Sequence, residues 1–299
     1  MSRGNAEFEY DGIHLVGASI AGAETYVVAP EMDLSFDLGR CPLDVLHVSN
    51  VFLSHGHMDH AAGAAYYFSQ RMFIDNEPGK LFAAAPLCDP LRRLMDVWGE
   101  IDGNIPRADI RPAIPGVDIA LRRDLCVRPF EVNHGRRRLD GNLVTALGYA
   151  AIEIRKKLKP EYHGLAGPQL VELKKKGIEI TARTEVPLVT YCGDTANGDF
   201  FDLPYVRDAK VLLLECTFVD DDHRSRARAG FHIHSQDLRD IVPRLRNEKI
   251  LLTHLTRRTP IGEAMRAVES AVGAEEMSRI SFLMSHRRRL RPPETQPKA

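Results

Sequence analysis

Seven consecutive residues, Ser54-His55-Gly56-His57-Met58-Asp59-His60, hold the densest chemistry in the chain. His55, His57, Asp59 and His60 each offer a nitrogen or oxygen donor. Imidazole and carboxylate together suit zinc or a similar borderline divalent ion. The plain alternative is a polar loop that happens to be rich in histidine. The spacing argues against it, because an apolar run, Val51-Phe52-Leu53, leads in and a small-residue run, Ala61-Ala62-Gly63-Ala64-Ala65, leads out. That order reads as a strand, a tight ligand loop and then a helix.

The run resembles the His-x-His-x-Asp-His signature of the metallo-β-lactamase superfamily, a signature completed by later ligands at strand ends. Three residues answer to that pattern. His134 lies in Asn133-His134-Gly135 after a strand-like run, 125–132. Asp194 lies in Gly193-Asp194-Thr195 after 186–192, and His254 follows 249–253. A lone histidine is usually structural; these gain their meaning from a metal loop that needs partners. The resemblance implies seven ligands for two divalent ions, zinc in the first instance and manganese or iron otherwise. One ion would take His55, His57 and His134, and the other Asp59, His60 and His254. Asp194 and a water would bridge them, since a carboxylate has one oxygen for each cation. Two ions about 3.5–4 Å apart activate a water and neutralise charge in the transition state of a hydrolysis.

The rest of the chain must position these groups. Its 299 residues suffice for one large domain or two modest ones, and 44% hydrophobic with 27% charged residues is ordinary for a globular protein with a sizeable core. The net charge of −1 excludes a molecule that attracts nucleic acid as a whole, so any such site needs local clustering. Five scattered cysteines without a Cys-x-x-Cys pair argue against a disulfide framework and suit a reducing compartment. There is no apolar signal core at the start, no run of membrane-spanning length and no internal repeat. These features predict a cytoplasmic protein with no membrane partner.

Residues 25–29 and 34–37 read as strands, the second closed by the turn Asp37-Leu38-Gly39. Helices are predicted over 61–70 and over 90–99, with Pro90 at the start, Gly99 at the end and the single tryptophan, Trp98, in the core. Residues 106–116 read as a Pro-rich loop, 144–154 as a strand. Residues 155–183 are basic and turn-rich, an excursion with a short helix over 168–176; a solvated charged face explains them equally well. A strand over 210–216, a helix over 236–247 capped by Ser235, a helix over 260–272 and a strand over 280–284 follow. An arginine-rich tail begins near 287. The expected fold is an α/β, αββα sandwich over 1–299: two mainly antiparallel sheets face to face, helices outside, the site at one edge.

Within the superfamily, residues 51–258 are similar to ribonuclease Z, the family that trims tRNA precursors at the 3′ end. Three features carry this: Gly164-Leu165-Ala166-Gly167-Pro168-Gln169-Leu170-Val171-Glu172-Leu173-Lys174, like the family's tRNA-binding arm; Gly193-Asp194-Thr195; and Glu215-Cys216-Thr217-Phe218, His234-Ser235 and Thr253-His254-Leu255-Thr256-Arg257-Arg258 in the family's order. The resemblance implies that Asp59 handles the water proton, that His234 protonates the leaving oxygen and that Glu215 orients His234. It implies RNA contacts at Gly167, Pro168, Lys174, Lys175 and Lys176, and a homodimer in which one subunit's arm serves the other's site. Arg136-Arg137-Arg138 could meet phosphates or form a solvated turn. His232 has no assigned role and reads as surface or as support behind the ligands. The chain departs from the family in Gly17-Ala18-Ser19-Ile20-Ala21-Gly22, in the alanine-rich run after His60 and in an arm reduced to about one hairpin. Two other readings share this sequence: the same metal core acting on a small ester, such as a cyclic nucleotide or other small phosphodiester or a thioester, and a non-catalytic binding protein.

Overall fold

The computed structural model describes residues 5–74, 77–137 and 143–284, with 136, 137 and 143–145 described by backbone alone. The first sheet takes seven strands in chain order: β1 (Ala6–Tyr10), β2 (Ile13–Ile20), β3 (Glu24–Ala29), β4 (Leu34–Phe36), β5 (Asn50–Phe52), β6 (Lys80–Ala84) and β7 (Asp109–Ala113). The second takes seven more: β8 (Ile119–Arg122), β9 (Leu125–Arg137), β10 (Leu143–Leu158), β11 (Thr181–Tyr191), β12 (Val211–Glu215), β13 (Lys249–Thr253) and β14 (Ile280–Phe282). The sandwich is present as expected, and its two halves share one topology although the sequence shows no repeat.

Each sheet is mixed. In the first, β1 to β4 pair antiparallel and β4 to β7 pair parallel. In the second, β8 to β11 pair antiparallel and β11 to β14 parallel. Mainly antiparallel pairing therefore describes only the leading half of each sheet. The reason is connection length. Tight turns such as Asp11-Gly12, both at positive φ, join antiparallel neighbours, whereas parallel neighbours need a crossover. Helices Met58–Ala61, Ala64–Ile74 and Ala85–Asp102 supply crossovers in the first sheet, and Ile261–Val272 supplies one in the second. Within the parallel halves, β5 and β12 are buried throughout. Between the sheets, Phe36 stacks on Tyr191 with ring centroids 5.3 Å apart, and Phe52 meets Tyr149 at 5.3 Å.

Several elements differ from expectation for identifiable reasons. The helix predicted over 90–99 runs Ala85–Asp102; Pro86 starts it, Pro90 lies inside, and Gly103 at φ 77° ends it. Gly99 is instead a point of close packing, since a Cβ there would lie 2.4 Å from Ile105. Trp98 is 41% exposed, because the buried face of that helix is Cys88, Met95 and Gly99. Residues 109–113, read as loop, form β7, and Pro112 is tolerated there because β7 is a sheet edge. The helix predicted over 236–247 breaks into helix Leu238–Ile241 between two single 3₁₀ turns, with Pro243 in the second. The basic excursion is an ordered hairpin: β10 and β11 stay paired out to Leu158 and Thr181, and helix Gly167–Lys175 caps the tip. The predicted tail, from 287, lies outside the described residues.

After the ligand loop the predicted single helix is interrupted at Ala62-Gly63. Gly63 lies against the turn after Asp37, donating its N–H to Gly39 O at 2.8 Å. A Cβ on Gly63 would fall 2.5 Å from both the backbone N and the Cβ of Cys41. Gly63→Ala should therefore lower stability by about 1–3 kcal/mol, the usual scale of overpacking, as read by urea unfolding. An unchanged midpoint would contradict this packing account.

Candidate metal centre

The ligand loop emerges from β5 and runs into helix Met58–Ala61, so His57 flanks that helix and Asp59 and His60 lie in its first turn. His134 arrives differently from expectation. It does not end a strand; β9 continues to Arg137 and bulges. Val132 pairs with Ala146 and Arg136 with Val144, so residues 133–135 oppose residue 145 alone. The bulge is what re-aims His134. Asp194 sits just past β11, beside Gly193 at φ 61°, whose Cβ would lie 2.9 Å from Ser54 Cβ. His254 sits just past β13 in the left-handed region at φ 58°.

All seven predicted ligands converge. His55, His57, His134 and Asp194 place donor atoms within 4.8 Å of one another, and so do Asp59, His60 and His254. Asp194 faces both groups: its Oδ2 is 3.6 Å from His55 Nε2, and its Oδ1 is 3.5 Å from His60 Nε2 and 3.4 Å from His254 Nε2. His254 Nε2 is 3.3 Å from Asp59 Oδ2 and 3.4 Å from His60 Nε2. A tetrahedral ion with bonds of about 2.0–2.2 Å spaces its donors by roughly 3.3–3.6 Å, so these separations fit a shared cation. Two buried atoms, Asp194 Oδ1 and His134 Nε2, have no hydrogen-bond partner in the protein, which is how bare ligand atoms stand.

The outer nitrogens of the imidazoles are held. His134 Nδ1–H donates to Phe231 O at 3.0 Å. His60 Nδ1–H donates to Asp37 Oδ2 at 2.7 Å. Ser54 Oγ, 2.8 Å from Asp37 Oδ2, gives its proton to that carboxylate and so accepts from His55 Nδ1 at 3.0 Å. Each arrangement leaves Nε2 bare toward the centre. Burial pushes Asp194 up, but His254, His60 and His55 outweigh it and hold the carboxyl well below its usual range. Asp59 is likewise pushed up by burial and drawn down, to about 2, chiefly by His254. Burial lowers His55 and His134. It opposes charge on His60 too, yet Asp194 and Asp37 outweigh it and favour the imidazolium. Ionised carboxylates and neutral imidazoles are the forms a metal requires, so a cation at this centre would take the place of the His60 Nε2 proton.

Sequence reasoning missed two residues. Asp37 looked like the start of a turn. It is a fully buried carboxylate accepting from Ser54 N–H at 2.7 Å and from the Tyr191 hydroxyl at 2.6 Å, besides Ser54 Oγ and His60. An acid ending an apolar strand was the available signal. The second is His232, which takes the place expected of His234. Glu215 Oε1 accepts from His232 Nδ1 at 2.8 Å, and a ring nitrogen of His232 lies within 4.8 Å of donor atoms of Asp194 and His254. Burial lowers the His232 imidazolium, but Glu215 outweighs it and keeps the ring protonated up to about 9. His234 has both ring nitrogens committed to the backbone: Nε2 donates to Asp220 O at 3.0 Å, and Nδ1 accepts from Gln236 N–H at 3.2 Å. It also displaces Ser235 as the cap of the following turn. Ile233, between His232 and His234, is fully buried in the core; the two imidazoles are separated by their partners, Glu215 for His232 and the Asp220 carbonyl for His234, and spacing alone did not say which one faces the site.

The remaining candidates lie elsewhere. Gly167, Pro168, Lys174 and Lys175 belong to the helix at the hairpin tip, and Lys176, just after it, pairs with Glu172 at 2.7 Å. From Tyr149 to Leu158 the hairpin runs nine residues, which at the rise of a strand is about 30 Å from the metal edge. Arg136 has its backbone in β9 beyond the bulge; its side chain, that of Arg137 and all of Arg138 lie outside the described residues.

Two mixed sheets with a cluster of histidines and aspartates at one edge define a metallo-β-lactamase-fold protein. The fold matches the metallo-beta-lactamase fold protein YhfI from Bacillus subtilis with a TM-score of 0.61 at 14% identity, over 90% of this chain and 94% of that one. It matches human tRNase Z, short form, with a TM-score of 0.53 at 14% identity, over 93% of each. No family model matches the chain. Among curated proteins, tRNase Z TRZ1 of Arabidopsis thaliana is 31% identical over 269 residues, covering 89% of this chain and 92% of the relative. The chloroplastic tRNase Z TRZ2 of the same plant is 32% identical over 267 residues, covering 87% and 72%. Nuclear ribonuclease Z of Triticum aestivum is 35% identical over 173 residues, 58% of this chain and 94% of the relative. The chain belongs to the tRNase Z family.

Prepared without chelator, the protein should carry close to two equivalents of divalent metal by elemental analysis, and His134→Ala should carry about one. Fewer than one equivalent in the wild type, or two in the variant, would contradict the ligand set.

Proposed function

We propose that the protein is a metal-dependent endoribonuclease that cleaves a phosphodiester at the 3′ side of tRNA precursors. The observation that carries this is the Glu215–His232 pair set beside Asp194, a proton donor placed next to a candidate two-metal site. Two divalent ions held by His55, His57, His134, Asp59, His60, His254 and Asp194 would supply an activated water and charge neutralisation on phosphate. Asp59, fixed by a hydrogen bond from Gly22 N–H at 2.7 Å, keeps its carboxylate turned to the site to accept a proton from the attacking water. His232 gives its proton to the leaving oxygen as the P–O bond breaks. Glu215 holds His232 Nδ1 and so directs Nε2 to that task.

RNA, rather than a small ester, is favoured by the hairpin. Lys156, Lys157 and Lys159 lie along it and Lys174, Lys175 and Lys176 at its tip, so a basic surface extends far beyond what a small substrate could touch. A thioester would need neither this arm nor a Glu–His proton donor. The named relatives point the same way. Zinc suits the histidine-rich donor set best. We further read the molecule as a homodimer, because helices Ala64–Ile74 and Ala85–Asp102 leave Tyr66, Phe73, Val97, Trp98 and Ile101 exposed. Five buried free cysteines fit a cytoplasmic setting, and no helix among the described residues is long and apolar enough to cross a membrane.

The test is cleavage of a 3′-extended tRNA precursor beside bis(p-nitrophenyl) phosphate, on protein whose mass is checked by light scattering. Both substrates should be cut by a dimer. His232→Ala should slow precursor cleavage by about 10²–10⁴-fold, the range of a lost general acid. His234→Gln should retain most activity. The reverse order of the two variants would overturn the assignment, and cleavage of the small diester alone would overturn the RNA reading.

A further inference from the structure

Thr217 stands between the two halves of the site. Its hydroxyl is 2.6 Å from Glu215 Oε2, 2.9 Å from His254 Nδ1 and 3.4 Å from His232 Nδ1. Glu215 is fully buried and accepts from every side: from Thr195 N–H at 2.9 Å and His232 Nδ1 at 2.8 Å on Oε1, and from Thr217 N–H at 3.1 Å on Oε2. The shortest of its contacts is the one with the Thr217 hydroxyl.

Proton counting fixes the rest. A hydroxyl has one hydrogen. The Glu215 carboxylate can only accept, so the Thr217 hydrogen goes to Oε2. Toward His254 the hydroxyl is then an acceptor, and His254 Nδ1 must be the protonated nitrogen. We propose that Thr217 is a positioning residue for the metal centre: by accepting from His254 Nδ1–H it holds that ring in the tautomer whose bare Nε2 faces Asp59 and Asp194. This rests on the metal-dependent reading above. It also gives the proton-donor pair and the His254 ligand one shared support, Glu215, so neither can shift without the other. His254 needs such a support more than the other ligands do. It sits in the left-handed backbone region, its own N–H on Ser19 Oγ at 2.8 Å fixes the backbone but not the ring, and on the outer side of the ring the Thr217 hydroxyl is what Nδ1 meets. The nearly isosteric Thr217→Val removes the hydroxyl and leaves His254 Nδ1–H unpaired in a buried place, while Thr217→Ser restores it.

Zinc or cobalt titrated into the full chain against a chromogenic chelator tests this. Wild type should bind two ions. Thr217→Val should hold one of them about 10–100-fold more weakly, the usual effect of losing a partner behind a ligand, with the other unchanged. Thr217→Ser should bind within about threefold of wild type. Unchanged binding of both ions by Thr217→Val overturns the role of Thr217 alone. So does equal weakening by the serine variant. Fewer than two ions in the wild type overturns the metal-dependent reading with it. Should Thr217→Val not fold, ¹⁵N spectra of histidine-labelled, zinc-loaded wild type decide: His254 protonated at Nδ1 supports the proposal, and His254 protonated at Nε2 overturns it.

Discussion

The arrangement depends on one buried carboxylate. Asp37 ends β4 of the first sheet and receives hydrogens from Ser54 and His60 of the ligand loop and from Tyr191 of β11 in the second sheet. Burying a carboxylate costs several kcal/mol unless it is fully hydrogen-bonded. Here every donor around it belongs to something the site needs in place. Tyr191 lies three residues before Asp194, so the same contact that satisfies Asp37 sets the strand leading to the candidate bridging carboxylate against the loop carrying four other candidate ligands. Burial, reinforced by the Asp37 charge, pushes the Tyr191 phenol up and keeps it a donor.

Around that anchor the local backbone departs from ordinary geometry where ligands or their supports must be aimed. Asp37, Cys41, Phe231 and His254 all have positive φ without being glycine. Such residues cost of order 1–3 kcal/mol each and persist only where the surroundings enforce them. Each has an evident use: Asp37 turns its carboxylate inward, Cys41 closes the turn beneath Gly63, Phe231 points its carbonyl at His134, and His254 swings its ring back over the edge of the sheet. The parallel halves of both sheets contribute the rigid part, since β5, β11, β12 and β13 present Ser54, Asp194, Glu215 and His254 from C-terminal ends that are buried on both faces.

The seven candidate ligands could be picked out in sequence because metal binding constrains residue type and because, His134 apart, they lie just past the ends of apolar strands. The strand preceding each ligand was legible for the same reason, as an apolar run with an abrupt polar end. What escaped was set by tertiary geometry. The bulge that aims His134 comes from register with β10, which no local pattern encodes. Trp98 looked like core because of its size, but the helix turns Cys88, Met95 and Gly99 inward instead. His232 and His234 have the same chemistry two residues apart, and only the position of Glu215 and of the Asp220 carbonyl separates the proposed proton donor from the cap. Asp37 was read as a turn because a buried acid and an exposed one look alike until their partners are known.

The account turns on Asp194 bridging two cations at this sheet edge. A crystal of the zinc-loaded protein, with data collected on either side of the zinc absorption edge, tests that directly. Two anomalous peaks should flank the Asp194 carboxylate about 3.5–4 Å apart, one among His55, His57 and His134 and the other among Asp59, His60 and His254. A single peak, or a peak coordinated by His232 in place of one of these ligands, would contradict it.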